Sequence, residues 1–237
     1  MTLIVGVILP TGILLVSDTR ETEGGTLRVV SDMTKKISFL TPDILIGLAG
    51  TESNWFVSQI LRDTIYNKSS SLSREVVINE VLSFYQNVNT MRRRIKQDTL
   101  GPIMISEFTD NNSFTIKTLD SDNDYNKITT FTQIGNIATI GSSYTVRQAV
   151  QNTLKDELDR TDDKDLSTHN FHKYLAGICK KIFIQVNKMY DPTVGSDLYC
   201  VYLSSINSIA ANECFFIGNE IVAVDYLDFD RTIKLKK

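Results

Sequence analysis

The chain has 237 residues, of which 25 are Lys or Arg and 28 are Asp or Glu, giving a formal net charge of −3 at neutral pH. Hydrophobic residues make up 42% and charged residues 22%, with 4 Pro and 12 Gly, which excludes collagen-like, low-complexity and disordered classes. The near-balanced charge provides no global field for phosphate-rich partners, so neither nucleic acid nor a membrane is expected as a partner.

The first part of the sequence predicts two pairs of strands followed by two helices. Runs of branched apolar residues flank tight-turn residues at Pro10-Thr11-Gly12 and Thr41-Pro42-Asp43, which is typical of β-hairpins. Apolar residues then recur every three or four positions, as in amphipathic helices, and Ser73 is placed to cap the second helix. The predicted strands are 3–9, 13–17, 36–39 and 44–49, and the predicted helices are 57–65 and 77–95.

The rest of the sequence repeats this order of elements. Strand signals return on both sides of an Asp110-Asn111-Asn112 turn, a second pair of amphipathic helices follows, and strands close the chain. The predicted strands are 103–108, 114–119, 137–140, 198–203, 215–217 and 221–224, and the predicted helices are 146–154 and 171–186.

This order of elements predicts the fold class. The two strands of the first hairpin are apolar on both faces, so each needs cover on both sides. Because strands arrive in pairs, antiparallel meanders are favoured over βαβ units. We therefore expect an α+β fold, a four-layer αββα sandwich in which two antiparallel sheets lie face to face and helix pairs cover them. No linker-like segment divides the chain, so a single domain over 1–237 is expected.

The cysteines and the amino-terminal segment bear on localisation. Cys179, Cys200 and Cys214 are widely spaced and odd in number, which argues against a disulfide framework and a structural zinc site. The apolar stretch 3–16 has no preceding basic residue and is interrupted by a turn, unlike a signal peptide, and it is too short to span a bilayer. We expect a cytoplasmic protein that begins at or next to Met1.

Two charged clusters are assigned structural explanations. Arg92-Arg93-Arg94 with Lys96 resembles a nucleic-acid patch, but cations are favoured in the last turn of a helix by its dipole. His169 and His172 are spaced three apart without acidic or thiol ligands at metal spacing, so they are expected on a helix surface. Neither a metal nor an organic cofactor is expected.

Thr2 is the first candidate for chemistry. Methionine is generally removed before a residue as small as threonine, and Thr2 would then carry a free α-amine beside its hydroxyl. Such an amine has a pKa of about 7.7–8.0, so a modest decrease in that pKa leaves it able to accept the hydroxyl proton at neutral pH. A nearby lysine lowers the pKa of the amine, because a like charge disfavours protonation. On its own, a threonine at this position is most often only a tolerated start residue.

Four blocks in the first fifty residues strengthen this hypothesis. They are Thr2-Leu3-Ile4-Val5-Gly6-Val7, Ser17-Asp18-Thr19-Arg20, Lys35-Lys36-Ile37 and Leu48-Ala49-Gly50-Thr51. In these blocks the chain resembles β-type subunits of the proteasome family, the N-terminal nucleophile hydrolases that use threonine. Their spacing matches the family's if two residues are inserted in the loop 23–26. The resemblance covers residues 2–66 and persists as element order to about 205.

The resemblance implies a role for each matching residue. Thr2 would be the nucleophile through its hydroxyl and the base through its amine. Lys36, paired with Asp18, would lower the proton affinity of that amine. Gly50 would present its backbone N–H to the oxyanion.

Two further positions match the family around the amine. Ser142, in Gly141-Ser142 after a strand, matches a serine that hydrogen-bonds near the amine, and Asp191 matches an aspartate after the last long helix. The family usually follows that aspartate with Ser-Gly-Gly, whereas here Val194 occupies the place of the serine and cannot donate a hydrogen bond.

The resemblance also implies an activity and partners. It implies hydrolysis of peptide amide bonds through an acyl-enzyme on Thr2, assembly with copies of the chain in a ring or open stack, and a possible ATP-dependent unfoldase partner. The chief alternative is a non-catalytic assembly or scaffold subunit that retains Met1. Another alternative is a small-molecule amidase of the same fold.

Overall fold

A computed structural model describes residues 2–24, 26–66, 68, 72–109, 111–168, 170–225 and 230–235. The fold is mixed α+β with antiparallel sheets. The strands are β1 (Leu3–Leu9), β2 (Gly12–Asp18), β3 (Glu21–Thr22), β4 (Val29–Ser31), β5 (Ile37–Thr41), β6 (Ile44–Leu48), β7 (Ile103–Phe108), β8 (Phe114–Leu119), β9 (Thr129–Phe131), β10 (Ile137–Gly141), β11 (Leu198–Ile206), β12 (Ile209–Ile217) and β13 (Ile221–Val224). The helices are α1 (Glu52–Ile65), α2 (Arg74–Arg94), α3 (Tyr144–Asp159), α4 (Asp163–Leu166) and α5 (Phe171–Met189).

The larger sheet has six strands in the order β10-β1-β2-β11-β12-β13, each antiparallel to its neighbours. Leu3 pairs with Gly141 on one side of β1, and Leu198 of β11 pairs with Asp18 of β2. This register brings four strand ends together at one end of the sheet: the start of β1, the end of β2, the end of β10 and the start of β11.

The second sheet has five strands in the order β5-β6-β7-β8-β9, and a short pair, β3 and β4, forms a third sheet. The end of β6 continues into Ala49, whose N–H donates to the carbonyl oxygen of Pro102 at 3.1 Å. The predicted antiparallel pairing is therefore confirmed in both larger sheets.

Three hydrophobic clusters account for the doubly apolar strands. Leu3, Val5 and Val7 of β1 pack in one cluster with α3 and α5, whereas Ile4 and Ile8, on the opposite face, pack with residues of the five-stranded sheet. A third cluster joins that second sheet to α1 and α2. The alternation of β1 residues between two clusters explains why its sequence is apolar at every position.

Gly6 marks a close approach of the two larger sheets. A Cβ added at Gly6 would lie 2.8 Å from Met104 Sδ of β7 and 3.0 Å from Ile116 Cδ1 of β8. Any larger side chain at this point would have to separate the sheets or displace these side chains.

Four strands differ from their prediction. The strand expected at 215–217 is β12, nine residues long, and it forms a hairpin with β11 through Asn207 and Ser208, which have φ values of 51° and 63°. This primed-turn conformation usually carries glycine, so the turn signal was weak. Strands β3, β4 and β9 were not predicted, because each is only two or three residues long.

The expected surface position of His172 is wrong. Its side chain is 2% exposed, its ring stacks on Tyr202 with centroids 4.1 Å apart, and its Nε2 lies 2.9 Å from Glu213 Oε2. His172 lies three residues before Leu175 in α5, so it shares the face that packs on the larger sheet. His169 lies outside the described residues.

The arginine cluster is in the last turn of α2, as predicted. Arg92 Nε donates to the carbonyl oxygen of Asp98 at 2.7 Å, and Arg93 Nη2 to that of Ser121 at 2.7 Å. Among the described residues, no helix combines the length and the apolar character needed to cross a membrane.

Gly6→Ala tests the close approach of the sheets. We expect the free energy of unfolding to fall by about 1–3 kcal/mol through overpacking. Gly177→Ala is the control, because nothing outside its chain neighbours and the adjacent backbone of its own helix lies within 4 Å of its added Cβ, and alanine favours a helix by about 0.5–1 kcal/mol over glycine. Urea unfolding of both variants measures the difference, and equal stability would contradict the packing described here.

Candidate active site

Backbone hydrogen bonds place Thr2 at the end of the larger sheet where four strand ends meet. The N–H of Leu3 donates to Asp18 Oδ1 at 3.0 Å, and the N–H of Ser142 donates to the carbonyl oxygen of Thr2 at 2.8 Å. The backbone of Thr2 is thereby held between the end of β2 and the end of β10, and the residue is 9% exposed.

Gly141 allows β10 to pass close to Thr2. Its φ is +77°, and an added Cβ would lie 1.9 Å from the carbonyl oxygen of Thr2. A side chain here would displace the first residues of β1, so the glycine of the Gly141-Ser142 pair has a steric explanation.

The carboxylate of Asp18 is fully buried and accepts four hydrogen bonds. Oδ1 accepts the N–H of Leu3, and Oδ2 accepts Lys36 Nζ at 2.7 Å, the N–H of Arg20 at 3.2 Å and the N–H of Gly195 at 3.0 Å. A charge taken out of water needs such partners, because unpaired burial costs several kcal/mol.

Lys36 is buried beside this carboxylate. Its Nζ also donates to the carbonyl oxygen of Arg20 at 2.6 Å. Burial lowers the pKa of Lys36, because the charged form is desolvated, while the adjacent Asp18 opposes that shift. The ion pair places a positive charge on the wall of the pocket that Thr2 also lines.

Ser142 and Asp191 form a second polar group beside Thr2. Ser142 Oγ donates to Asp191 Oδ2 at 2.9 Å, and Asp191 Oδ1 accepts the N–H of Thr193 at 3.1 Å and also contacts its hydroxyl. Val194, at the place of the family's serine, packs in the hydrophobic core with α5. The hydroxyl that contacts Asp191 is supplied instead by Thr193, which the sequence did not identify.

Gly50 lies where the chain leaves β6 for α1. The N–H groups of Ala49 and Thr51 donate to the carbonyl oxygens of Pro102 and Leu100, at 3.1 and 3.0 Å. Because alternate N–H groups of an antiparallel pair point in opposite directions, that of Gly50 points away from this neighbour, and no described residue accepts it. The φ of Gly50 is +104°, and an added Cβ would lie 2.4 Å from the Leu100 oxygen, so only glycine fits.

Two adjoining pockets of about 550 and 530 Å³ open at Thr2. Thr2 and Gly50 line both of them, Lys36 lines the first and Ser142 the second. A group bound across the two pockets would therefore contact both Thr2 and Gly50. All six residues singled out in the sequence come together here, with Asp18 and Asp191 buried behind the others.

The carboxyl-terminal segment contributes a residue that sequence reasoning missed. The carbonyl oxygen of Arg231 accepts the N–H of Lys35 at 2.7 Å, which sets this segment beside the first pocket. Its guanidinium donates to Glu21 Oε1 at 2.8 Å and to Glu52 Oε1 at 2.6 Å. No spacing pattern in the sequence could connect Arg231 with residues so far away along the chain.

In the described part of the chain, no group of three or more His, Cys, Asp or Glu side chains could hold a metal ion. The described cysteines are buried, and burial raises the pKa of Cys179 and Cys214 to about 12 and also raises that of Cys200 well above its usual value, which makes these thiols poor nucleophiles.

The sequence matches none of the known protein-family models and none of the curated proteins with which it was compared. The chemistry of the site is therefore inferred from its own geometry, together with the motif resemblance described above.

Replacing Lys36 with methionine tests the buried ion pair. We expect Lys36→Met to lower the free energy of unfolding by about 3–5 kcal/mol, because it leaves the Asp18 charge buried without its cation. Lys155→Met breaks an exposed pair with Asp159 in α3 and should cost less than about 0.5 kcal/mol. Chemical denaturation compares the two, and a small effect of Lys36→Met would mean that the backbone donors of Asp18 suffice.

Proposed function

We propose that this protein is a threonine-type N-terminal nucleophile hydrolase that cleaves peptide amide bonds through an acyl-enzyme on Thr2. The observation that carries this proposal is the position of Thr2 between two pockets, with the Lys36–Asp18 pair on one wall and an unengaged Gly50 N–H on both. The proposal requires the bond between Met1 and Thr2 to be cleaved, so that Thr2 has a free amine.

We further propose the four-layer αββα arrangement expected from the sequence. The three hydrophobic clusters support it: one lies between α3, α5 and the larger sheet, one joins the two larger sheets, and one joins the second sheet to α1 and α2. In this arrangement the end of the larger sheet that carries Thr2 is where the two sheets and the start of α1 meet.

The proposed reaction has two stages. The Thr2 hydroxyl oxygen attacks the carbonyl carbon of the scissile amide while its proton passes to the Thr2 amine, and the oxyanion that forms accepts the Gly50 N–H. The C–N bond then breaks, the leaving amine takes the proton, and an ester on Thr2 remains. In the second stage the Thr2 amine removes a proton from water, which attacks the ester, and the acid leaves as the hydroxyl is restored.

The surrounding charges support these steps. The cation of Lys36 disfavours protonation of a nearby amine, which keeps the amine available as a base near neutral pH. Ser142 and Asp191 hold the end of β10 against the backbone of Thr2 and are proposed to orient its amine. Asp18 acts by fixing Lys36 and Leu3.

We propose that the protein works in the cytoplasm as an assembly of copies of itself, in a ring or open stack. We also propose that an ATP-dependent unfoldase feeds such a chamber with substrate in cells. Exposed apolar side chains support association: Phe56 and Ile60 of α1, one turn apart, are 57% and 54% exposed, and Leu27, between β3 and β4, is 69% exposed. Light scattering of the purified protein measures the number of copies.

Thr2→Ala tests the nucleophile. We expect it to abolish turnover of fluorogenic peptides and labelling by a β-lactone or an epoxyketone, while the oligomeric state is kept, because only the hydroxyl is lost. Thr64→Ala, at an exposed threonine of α1, is the control and should be labelled like the wild type. Peptide mapping by mass spectrometry locates the adduct, and an adduct on another residue would contradict the proposal.

Intact-mass measurement tests the free amine. The hydrolase requires a chain that begins with Thr2, so the measured mass should lack the methionine. A chain that keeps Met1 and is not labelled would support a non-catalytic scaffold subunit instead. Turnover of acylated metabolites in preference to peptides would indicate a small-molecule amidase.

A further inference from the structure

The proposed oxyanion donor belongs to the peptide unit that joins Ala49 to Gly50, and a buried side chain holds the other end of that unit. Asn54 Nδ2 donates to the carbonyl oxygen of Ala49 at 2.8 Å. Asn54 lies in the first turn of α1 and is 1% exposed, and its own N–H donates to the carbonyl oxygen of Thr51 at 3.0 Å. Its position relative to the Gly50 loop is therefore fixed.

The planarity of the peptide bond connects Asn54 to the pocket. In a trans peptide the carbonyl and the N–H lie in one plane and point in opposite directions. Because the Asn54 amide draws the Ala49 carbonyl toward the interior, the Gly50 N–H is turned to the opposite side, where Gly50 and Thr2 line the same two pockets. A hydrogen bond to the carbonyl also polarises the N–H of the same unit and makes it a better donor.

The other half of the Asn54 amide indicates that this residue is retained for its donor. Asn54 Oδ1 is buried and has no hydrogen-bond partner among the described residues. A buried polar atom left unsatisfied destabilises the folded state, so the bare Oδ1 carries a cost that offsets part of the gain from the hydrogen bond to Ala49. The cost is explained if the donor to Ala49 serves the site.

We propose that Asn54 is a positioning residue for the acyl-transfer step, which fixes and polarises the Ala49–Gly50 peptide so that the Gly50 N–H meets the oxyanion. This inference rests on the proposed function of Thr2. It assigns to Asn54 an effect on the reaction rate and little effect on substrate binding.

Asn54→Asp replaces the donor by an acceptor of the same shape. We expect kcat to fall by about tenfold or more, with KM changed by less than about twofold, because the oxyanion forms only in the transition state. A buried carboxyl that faces a carbonyl oxygen gains a proton more readily than in water, and the protonated form can donate. The activity of the variant relative to the wild type should therefore rise as the pH is lowered, which a merely structural role would not produce.

Two further variants keep the test decisive if the carboxylate disturbs folding. Asn54→Leu removes the donor at similar volume and should lose kcat with no recovery at low pH. Tyr85→Phe is the control, because it removes the hydrogen bond from the Tyr85 hydroxyl to the Asn54 backbone oxygen, at 3.4 Å, and leaves the Asn54 amide in place. Its kcat should equal that of the wild type.

The outcomes separate this inference from the function on which it rests. If the wild type is labelled at Thr2 but Asn54→Asp and Asn54→Leu turn over peptides at the wild-type rate, the role of Asn54 is overturned and the hydrolase stands. If the wild type is neither active nor labelled at Thr2, the proposed function fails and the role of Asn54 fails with it. Loss of kcat in both variants, with normal kcat in Tyr85→Phe, supports both.

Discussion

The buried carboxylate of Asp18 is the constraint on which the rest of the site depends. Its four donors come from four parts of the chain, at Leu3, Arg20, Lys36 and Gly195. A carboxylate in the interior is stable only when such donors surround it, so all four segments must meet at one point. Because Thr2 directly precedes Leu3, the same requirement that stabilises the charge also fixes the residue that we propose as the nucleophile.

Local pattern was sufficient to predict most of the larger elements. The apolar runs of β1 and β2 indicated cover on both faces, and the structure supplies it from two separate clusters. The pattern failed where local signals were weak. In β12 the first half is only partly buried and the turn before it, at Asn207 and Ser208, lacks glycine, so only its last three residues were predicted. For His172, three-residue spacing indicated a shared helix face but not which face is buried.

The candidate site was predictable only where its residues follow a spacing within the chain. Thr2, Asp18, Lys36 and Gly50 fall in the first fifty residues, and a motif could relate them. Arg231 and Glu21 are 210 positions apart, and their contact depends on how the carboxyl-terminal segment lies beside Lys35. The role inferred for Asn54 was likewise invisible, because it depends on the orientation of one peptide plane.

The hydrogen bonds around Thr2 also limit which group can act as its base. Both oxygens of Asp18 and both oxygens of Asp191 accept hydrogen bonds from other groups, and among the described residues no hydrogen bond joins the Thr2 hydroxyl to either carboxylate. Lys36 uses two of its three N–H groups on Asp18 and the Arg20 carbonyl, and an ammonium has no lone pair. The described neighbours hold and polarise the site, and under the proposed function the base is the amine of Thr2 itself. This is why release of that amine decides between a catalyst and a scaffold.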